Sequence, residues 1–246
     1  MRILVIGESN KDVFHYGESL RLCPDAPVPV FSLLHTTETN GMAKNVENNL
    51  KSLGAKTHLL TNENYDNITK TRFIDNRTNH MFLRVDKNDD SYGELAKETI
   101  EFINFSEFDA VIVSDYNKGF LQTSILKQIS EKHPLTFIDT KKKLGPWAIN
   151  FSFIKLNSSE FNFNKEYITE ELLSNIVVTK GPLGSLYRGK IYPVKNVEVK
   201  DTSGAGDTFV AALCYKFVET GDIKTSIEFA NECATLVVQR RGVSVI

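Results

Sequence analysis

Asp201-Thr202-Ser203-Gly204-Ala205-Gly206-Asp207-Thr208-Phe209 sets three small residues and an acid between a strand-like run, residues 194–199, and a segment in which Phe209, Leu213 and Phe217 recur at helical spacing. Gly204, Ala205 and Gly206 let the backbone come close to a ligand. Their N–H groups fall at a helix N-terminus, where unpaired donors and the helix dipole bind anions. Asp207, in the first helical turn, is placed to take a proton from a hydroxyl held there. An anion hole beside a carboxylate suits phosphoryl transfer from ATP to an alcohol, because the backbone steadies the moving charge while the acid orients the nucleophile. The same residues also read as a glycine-rich turn with Asp207 complementing the helix dipole, and a GxGxD pattern alone does not separate the two.

Outward from that stretch, short continuous apolar runs at 3–6, 58–60, 110–113, 136–138, 153–156 and 176–179 predict strands buried on both faces. Between them Ala43, Val46, Leu50 and Leu53, then Ile125 and Ile129, then Ile223, Ile227, Ala230, Ala234 and Val237 predict amphipathic helices. This alternation predicts an α/β fold with a mostly parallel sheet. Residues 14–39 and 69–86 break the alternation. Pro24, Pro27 and Pro29 forbid helix and fit an edge strand or extended arm, and Thr71, Phe73, Ile74, Met81, Leu83 and Val85 suggest two strands joined across residues 76–79. These two segments predict a small β-appendage, or a plain surface hairpin and loop.

At 246 residues, 41% hydrophobic and 24% charged, the chain is long enough for a large core. A formal net charge of −2 disfavours nucleic acid as the main partner, and no apolar run is long enough to span a bilayer. The N-terminal run is too short for a signal peptide, and Cys23, Cys214 and Cys233 lack pairing or metal-ligand spacing, so a cytoplasmic protein is expected. Gly184 through Ile191 nearly matches a P-loop but lacks the closing Ser or Thr and reads as a turn between β-type runs. Gly7-Glu8-Ser9-Asn10 is not the dinucleotide fingerprint.

Residues 201–209 closely resemble the DTxGAGDTF signature of the ribokinase-like (PfkB) sugar kinases. Further stretches agree with that family in order: Gly7-Glu8-Ser9-Asn10-Lys11-Asp12 with its GxxNxD substrate motif, Gly41-Met42-Ala43-Lys44-Asn45 with its GGxxN, Asn157-Ser158-Ser159-Glu160 with NxxE, Thr179-Lys180-Gly181-Pro182-Leu183-Gly184 with TxGxxG, and Ala230-Asn231 and Arg240-Arg241-Gly242 with its C-terminal region. The resemblance runs along essentially the whole chain. It implies a three-layer α/β/α fold as a single kinase domain over residues 1–246, with 14–39 and 69–86 as a β-lid. It also implies Asp207 as base with the Gly204, Ala205, Gly206 and Asp207 amides as anion hole. ATP would lie on Asn157, Glu160, Thr179, Lys180, Gly181, Gly184 and Asn231, with Mg²⁺ served by Glu160 through water. Sugar contacts would come from Asn10, Asp12, Gly41 and Asn45. Carbonyls of Asp201, Ser203, Val237, Arg240 and Gly242 would hold a potassium-like ion, and strand edges on the lid would pair two copies in a homodimer.

Within the family the chain is most similar to heptose-7-phosphate kinases. Arg21 through Val30 is similar to their RxSPEAPVPV arm, Ser114-Asp115-Tyr116-Asn117-Lys118-Gly119 to their SDYxKG, and Thr69–Lys70–Thr71–Arg72 and Leu83–Arg84–Val85–Asp86 also correspond. The resemblance adds Lys70, Arg72, Arg84, Asp115 and Lys118 to the substrate end, where the cations would grip the phosphate of a sugar phosphate; a solvated hairpin face accounts for each of them as well. Three departures stand out. A helix–strand unit that usually follows Asn62 has no counterpart, the second glycine of the GG pair is Met42, and the sequence ends soon after the kinase signature, so no nucleotidyltransferase domain is expected.

Overall fold

The computed structural model describes residues 1–246. In chain order the elements are β1 (Arg2–Gly7), β2 (Ser9–Leu22), β3 (Pro29–Met42), α1 (Ala43–Ser52), β4 (Lys56–Leu60), β5 (Thr69–Asp75), β6 (Met81–Lys87), α2 (Lys97–Glu101), β7 (Ala110–Asp115), α3 (Thr123–Lys132), β8 (Thr136–Thr140), β9 (Phe153–Asn157), α4 (Ser158–Asn164), α5 (Glu170–Asn175), β10 (Ile176–Thr179), β11 (Ser185–Tyr187), β12 (Lys190–Tyr192), α6 (Ala205–Thr220) and α7 (Ile223–Val237).

Eight strands form the central sheet in the order β12-β11-β10-β9-β8-β7-β1-β4, parallel from β10 to β4 and closed on the other side by the antiparallel β11–β12 hairpin. Alternate residues of each strand enter opposite cores, which is why the strands read as continuous apolar runs. Leu4, Ile6, Val111, Val113, Ile138 and Ile154 pack with Ile125, Leu126 and Ile129 of α3. Ile3, Val5, Ile112, Phe137 and Val177 pack with α1, α6 and α7 through Val46, Leu50, Phe209, Leu213 and Ile227. The result is the three-layer α/β/α arrangement. No helix is long and apolar enough to cross a membrane.

A second, four-stranded sheet, ordered β3-β2-β5-β6, stands apart from the first. It begins earlier than the composition break at residue 14, because β2 starts at Ser9, directly after β1. Pro29 opens β3, an edge strand, where its missing N–H leaves no ladder bond unmade. From β4, an edge strand of the main sheet, the chain reaches β5 with only a single 3₁₀ turn at Tyr65–Asn67 between them. Residues 194–199 carry no regular structure, contrary to the strand expected there. Pro193 follows β12 directly, and Val194, Val197 and Val199 instead line a groove.

Candidate active site

Gly204 caps α6 in the left-handed region (φ 78°), a conformation that glycine adopts at little cost. A side chain there would also collide with Asn45, whose Nδ2 lies 2.7 Å from the point a Cβ would occupy. The N–H groups of Gly204, Gly206 and Asp207 find no acceptor in the chain, while that of Ala205 turns to the Thr202 carbonyl at 3.2 Å. Three of the four expected anion-hole amides therefore stand open, and Ala205 is the exception.

Asp207 is 4% exposed. Asn45 Nδ2 donates to its Oδ2 at 3.0 Å, and the Tyr116 hydroxyl donates to its Oδ1 at 2.7 Å. Burial pushes its pKa up to about 6 against those two bonds, which favour the ionised form. A carboxylate that ionises near neutrality and is held at both oxygens is suited to serve as a general base. Burial, then the Asp207 charge, raises the Tyr116 phenol well above its ordinary value, so it stays a donor.

On one side of Asp207 runs a groove of about 630 Å³. Asn157, Thr179, Lys180, Gly181, Gly184 and Asn231 all line it, together with Ala205 and Gly206, so these expected nucleotide residues converge. Three of the NxxE and C-terminal side chains do more local work than anticipated. Asn157 and Glu160 form a capping box on α4, the Asn157 Oδ1 accepting from the Glu160 N–H at 2.9 Å and Glu160 Oε2 from the Asn157 N–H at 2.7 Å. Burial, then Asp139, raises the Glu160 pKa. Glu160 itself is not among the residues lining the groove; its Oε1 is not engaged in the cap, and a carboxylate oxygen is a hard donor of the kind that suits water-mediated Mg²⁺. Asn231 lines the groove and also holds it together: its amide accepts from Ser185 Oγ at 2.6 Å and donates to the Tyr192 carbonyl at 2.9 Å, fastening α7 to the β11–β12 hairpin.

The monovalent-cation residues fit in part. The carbonyls of Asp201, Ser203, Arg240 and Gly242 accept no hydrogen bond within the chain, as a cation site requires. The Val237 carbonyl already accepts from the Arg240 N–H at 3.0 Å and from Ser244 Oγ at 3.3 Å, and so does not fit. The Asp201 carboxylate clasps the two segments, accepting from the Ser203 and Gly242 N–H groups at 2.8 and 3.1 Å.

On the other side of Asp207, Gly41 passes so close to β2 that a Cβ on it would lie 2.2 Å from Asp12 Oδ2 and 2.5 Å from Asn10 Oδ1. Only glycine allows Asn10, Asp12 and the β3 backbone to meet there. Asn10 is fully buried and both ends of its amide lack partners, which is costly unless a ligand completes them. Met42, standing where the family has glycine, adopts φ 60° and ψ −133°. That conformation costs a side-chain-bearing residue on the order of 1–3 kcal/mol, which gives the physical reason for a second glycine in the motif.

The cations at this end are already paired. Arg72 reaches Asp12 at 2.5 Å and lies over the Phe14 ring. Lys70 and Lys118 share Asp89, at 3.4 Å for Lys70. Arg84, on the exposed strand β6, binds Asp86 bidentately at 2.7 and 2.8 Å. Asp115 is a correction. At 1% exposure it accepts from the Asn117 N–H, Thr140 and Lys142, which anchors the loops after β7 and β8 and leaves nothing for a substrate. Tyr116 was not singled out for a role, although it lies within the quoted SDYNKG stretch. Lys155, which lines the groove, was also missed, although a lysine amid the apolar residues Phe153, Ile154 and Leu156 is a legible signal.

A buried carboxylate at a helix N-terminus, between a groove and the buried Asn10 and Asp12, fits a carbohydrate kinase of ribokinase-like fold, and comparison with known proteins agrees. Residues 157–245 match the model of the pfkB family carbohydrate kinases. Over those residues the chain is similar to the pfkB family. It is 31% identical, over 98% of its length, to the bifunctional protein HldE of Helicobacter pylori, of which it spans 63%. That alignment extends over 293 positions, more than the chain's 246 residues, so the relative carries residues with no counterpart here. Among solved structures, ribokinase from Thermotoga maritima superposes with a TM-score of 0.72 at 17% identity, covering 98% of this chain and 94% of that one. Arabidopsis thaliana ribokinase, solved with ribose and ATP, gives 0.64 at 17% identity, covering 98% and 93%.

Proposed function

We propose that the protein transfers the γ-phosphoryl group of ATP to a hydroxyl of a sugar phosphate, a heptose 7-phosphate, giving a heptose 1,7-bisphosphate for nucleotide-activated heptose synthesis. The observation that carries the phosphoryl-transfer reading is Asp207, buried beside open helix amides, with the groove on one side and the unpartnered Asn10 amide on the other. In this reading ATP lies in the groove with its phosphates toward Gly204, Gly206 and Asp207. Glu160 would hold Mg²⁺ through water, and the ion would supply charge neutralisation at the phosphates. Asn10 and Asp12 hold sugar hydroxyls, Asp207 takes the proton of the attacking one, and Asn45 and Tyr116 keep that carboxylate ionised and aimed. Similarity to HldE supports the heptose assignment. A neutral sugar or a nucleoside is the second reading, favoured by the carboxylate partner that each cation of the substrate end already has. ADP release measured against a panel of free and phosphorylated sugars decides between them.

The second sheet then serves as a lid over the sugar, with Asp12, Lys70 and Arg72 on its inner face. Its outer face carries Leu33, Leu83 and Val85, each about half exposed, beside the Phe31–Phe73 aromatic contact. Small sheets with one apolar face open to water are marginal, so a homodimer through this face is expected. Light scattering should show a dimer that Leu83→Glu turns into a monomer without loss of fold; a wild-type monomer at all concentrations overturns this.

A further inference from the structure

Glu8 joins β1 to β2 and is fully buried. Both oxygens of its carboxyl accept from main-chain N–H groups of one loop: Oε2 from Tyr116 at 2.8 Å and Oε1 from Lys118 at 3.1 Å. Burial, then the Asp115 charge, raises its pKa against those bonds. Gly7 makes the approach possible. It stands opposite Ser114 in the β1–β7 register, and a Cβ on it would lie 2.0 Å from the Ser114 carbonyl oxygen. The chain leaving β7 therefore passes directly over the Glu8 carboxyl. Asn117 takes φ 56°, so the amides on either side of a left-handed residue converge on one point. Such a concave set of N–H groups holds anions. Here the anion comes from the chain itself.

A buried acid held only by neutral amides is costly, and joining two strands does not require one. The side chains of the two residues it holds point to a use. The Tyr116 hydroxyl donates to Asp207 Oδ1 at 2.7 Å, and the Lys118 ammonium pairs with Asp89. Glu8 is also fixed through its main chain, where its carbonyl accepts from the Ala43 N–H at 2.9 Å. Ala43 opens α1, the helix that carries Asn45, whose Nδ2 donates to Asp207 Oδ2. Both groups that hold the Asp207 carboxylate thus belong to segments fastened to Glu8, Tyr116 by its side chain and Asn45 by its backbone.

Resting on the kinase reading above, we propose that Glu8 is a positioning residue for the base: its carboxylate seats the loop after β7 through the Tyr116 and Lys118 amides, and so sets the Tyr116 hydroxyl on Asp207. Glutamine cannot replace it, because one end of its amide is a donor and only one of the two N–H groups would keep an acceptor.

The test reads Asp207 directly. In ligand-free protein isotope-labelled at its carboxyl groups, the Asp207 signal is assigned by its loss in Asp207→Asn and followed by NMR against pH. Glu8→Gln should raise the Asp207 midpoint above that of wild type, in the same direction as Tyr116→Phe, because the bond from Tyr116 favours the ionised form. Removing a negative charge from the neighbourhood moves the midpoint the other way, and Asp139 and Lys155, the charged groups that also act on Asp207, are untouched. Added to Tyr116→Phe, Glu8→Gln should raise the midpoint no further. With a sugar acceptor, Glu8→Gln should lower kcat by about 10-fold, within the cost of misplacing a reacting group, and the same change in the Tyr116→Phe background should cost much less. A Glu8→Gln variant that is folded by circular dichroism and whose midpoint stays at or below wild type overturns the proposal. So does an effect that adds in full to that of Tyr116→Phe. If Glu8→Gln does not fold, the wild type decides: the Tyr116 and Lys118 amide protons should shift with the Glu8 carboxyl titration, and amides that ignore it overturn the proposal. A wild type that phosphorylates no sugar, free or phosphorylated, overturns the kinase reading, while the carboxyl titrations still decide whether Glu8 sets Tyr116 on Asp207.

Discussion

Asp207→Asn is expected to lower kcat by on the order of 10²-fold or more, the usual contribution of a positioned general base, with ATP affinity little changed. Asparagine preserves size and can still accept from Asn45, while the Tyr116 hydroxyl can rotate to accept from the new amide. What disappears is the proton acceptor. The wild-type pH profile should carry the same information. Since burial pushes the Asp207 pKa up to about 6, kcat/KM should fall as pH drops through that value and the base becomes protonated. Tyr116→Phe removes one of the two bonds favouring the carboxylate and should move this limb to higher pH. Stability should change in the opposite sense to activity. A carboxyl group whose pKa is raised on folding binds its proton more tightly in the folded state, so the folded protein gains stability below about pH 4 and loses it as pH rises through 6. Asp207→Asn should therefore raise Tm above pH 6, by the equivalent of at most about 3 kcal/mol, and leave it unchanged below pH 4. Near-normal turnover in Asp207→Asn, or an acid limb that survives the substitution, sinks this mechanism.

The helix opening at residue 205, the buried strands and the strand pair across residues 76–79 were legible because each depends on local chemistry: a left-handed glycine cap, a doubly buried apolar run, a turn between β-branched and aromatic residues. Side-chain partnerships were not legible in the same way. Arg72 and Asp12 are 60 residues apart and Lys142 and Asp115 are 27 apart, and nothing in their spacing says that they meet. Asp115 is claimed by its neighbours for a physical reason. It ends β7, where a polar side chain is first taken up by the adjoining loops, and only what remains is free for a ligand. The stretch at 194–199 misled because Val194, Val197 and Val199, interleaved with polar residues, read as a strand, whereas they line an open groove and none is buried. Lys155 shows the converse. A charge inside a buried strand is rarely retained without cause, and that inconsistency was visible in Phe153-Ile154-Lys155-Leu156 before any contact was known.

Preference for a phosphorylated acceptor should separate the two lysines from the two arginines. Arg84 is exposed and bound to Asp86, so Arg84→Ala should change KM little for any sugar. Arg72→Ala is expected to impair free and phosphorylated sugars alike, because its loss also frees Asp12 and uncovers Phe14. Lys70 and Lys118 are the discriminating pair. Both ammonium groups converge on the Asp89 carboxylate, and their attraction outweighs its burial to lower its pKa. Lys70 Nζ also lies 5.9 Å from the centre of the Tyr116 ring, whose hydroxyl touches Asp207, so one aromatic ring separates the lysine cluster from the base. In the proposed reading, Asp89 occupies the place that the far end of a sugar phosphate would take while its reactive hydroxyl faces Asp207. Lys70→Met should raise KM for a heptose 7-phosphate by about 10-fold or more, in line with a charge-assisted hydrogen bond to phosphate, and leave KM for the free sugar unaltered. Asp89→Asn should do the reverse and lower KM for the phosphorylated sugar, since both ammonium groups are released from a competing anion. Steady-state kinetics on matched free and phosphorylated sugars reads both effects. If wild type uses the two acceptors equally and neither Lys70→Met nor Asp89→Asn distinguishes them, the lysines hold the loop at Asp89 in place and the acceptor is a neutral one.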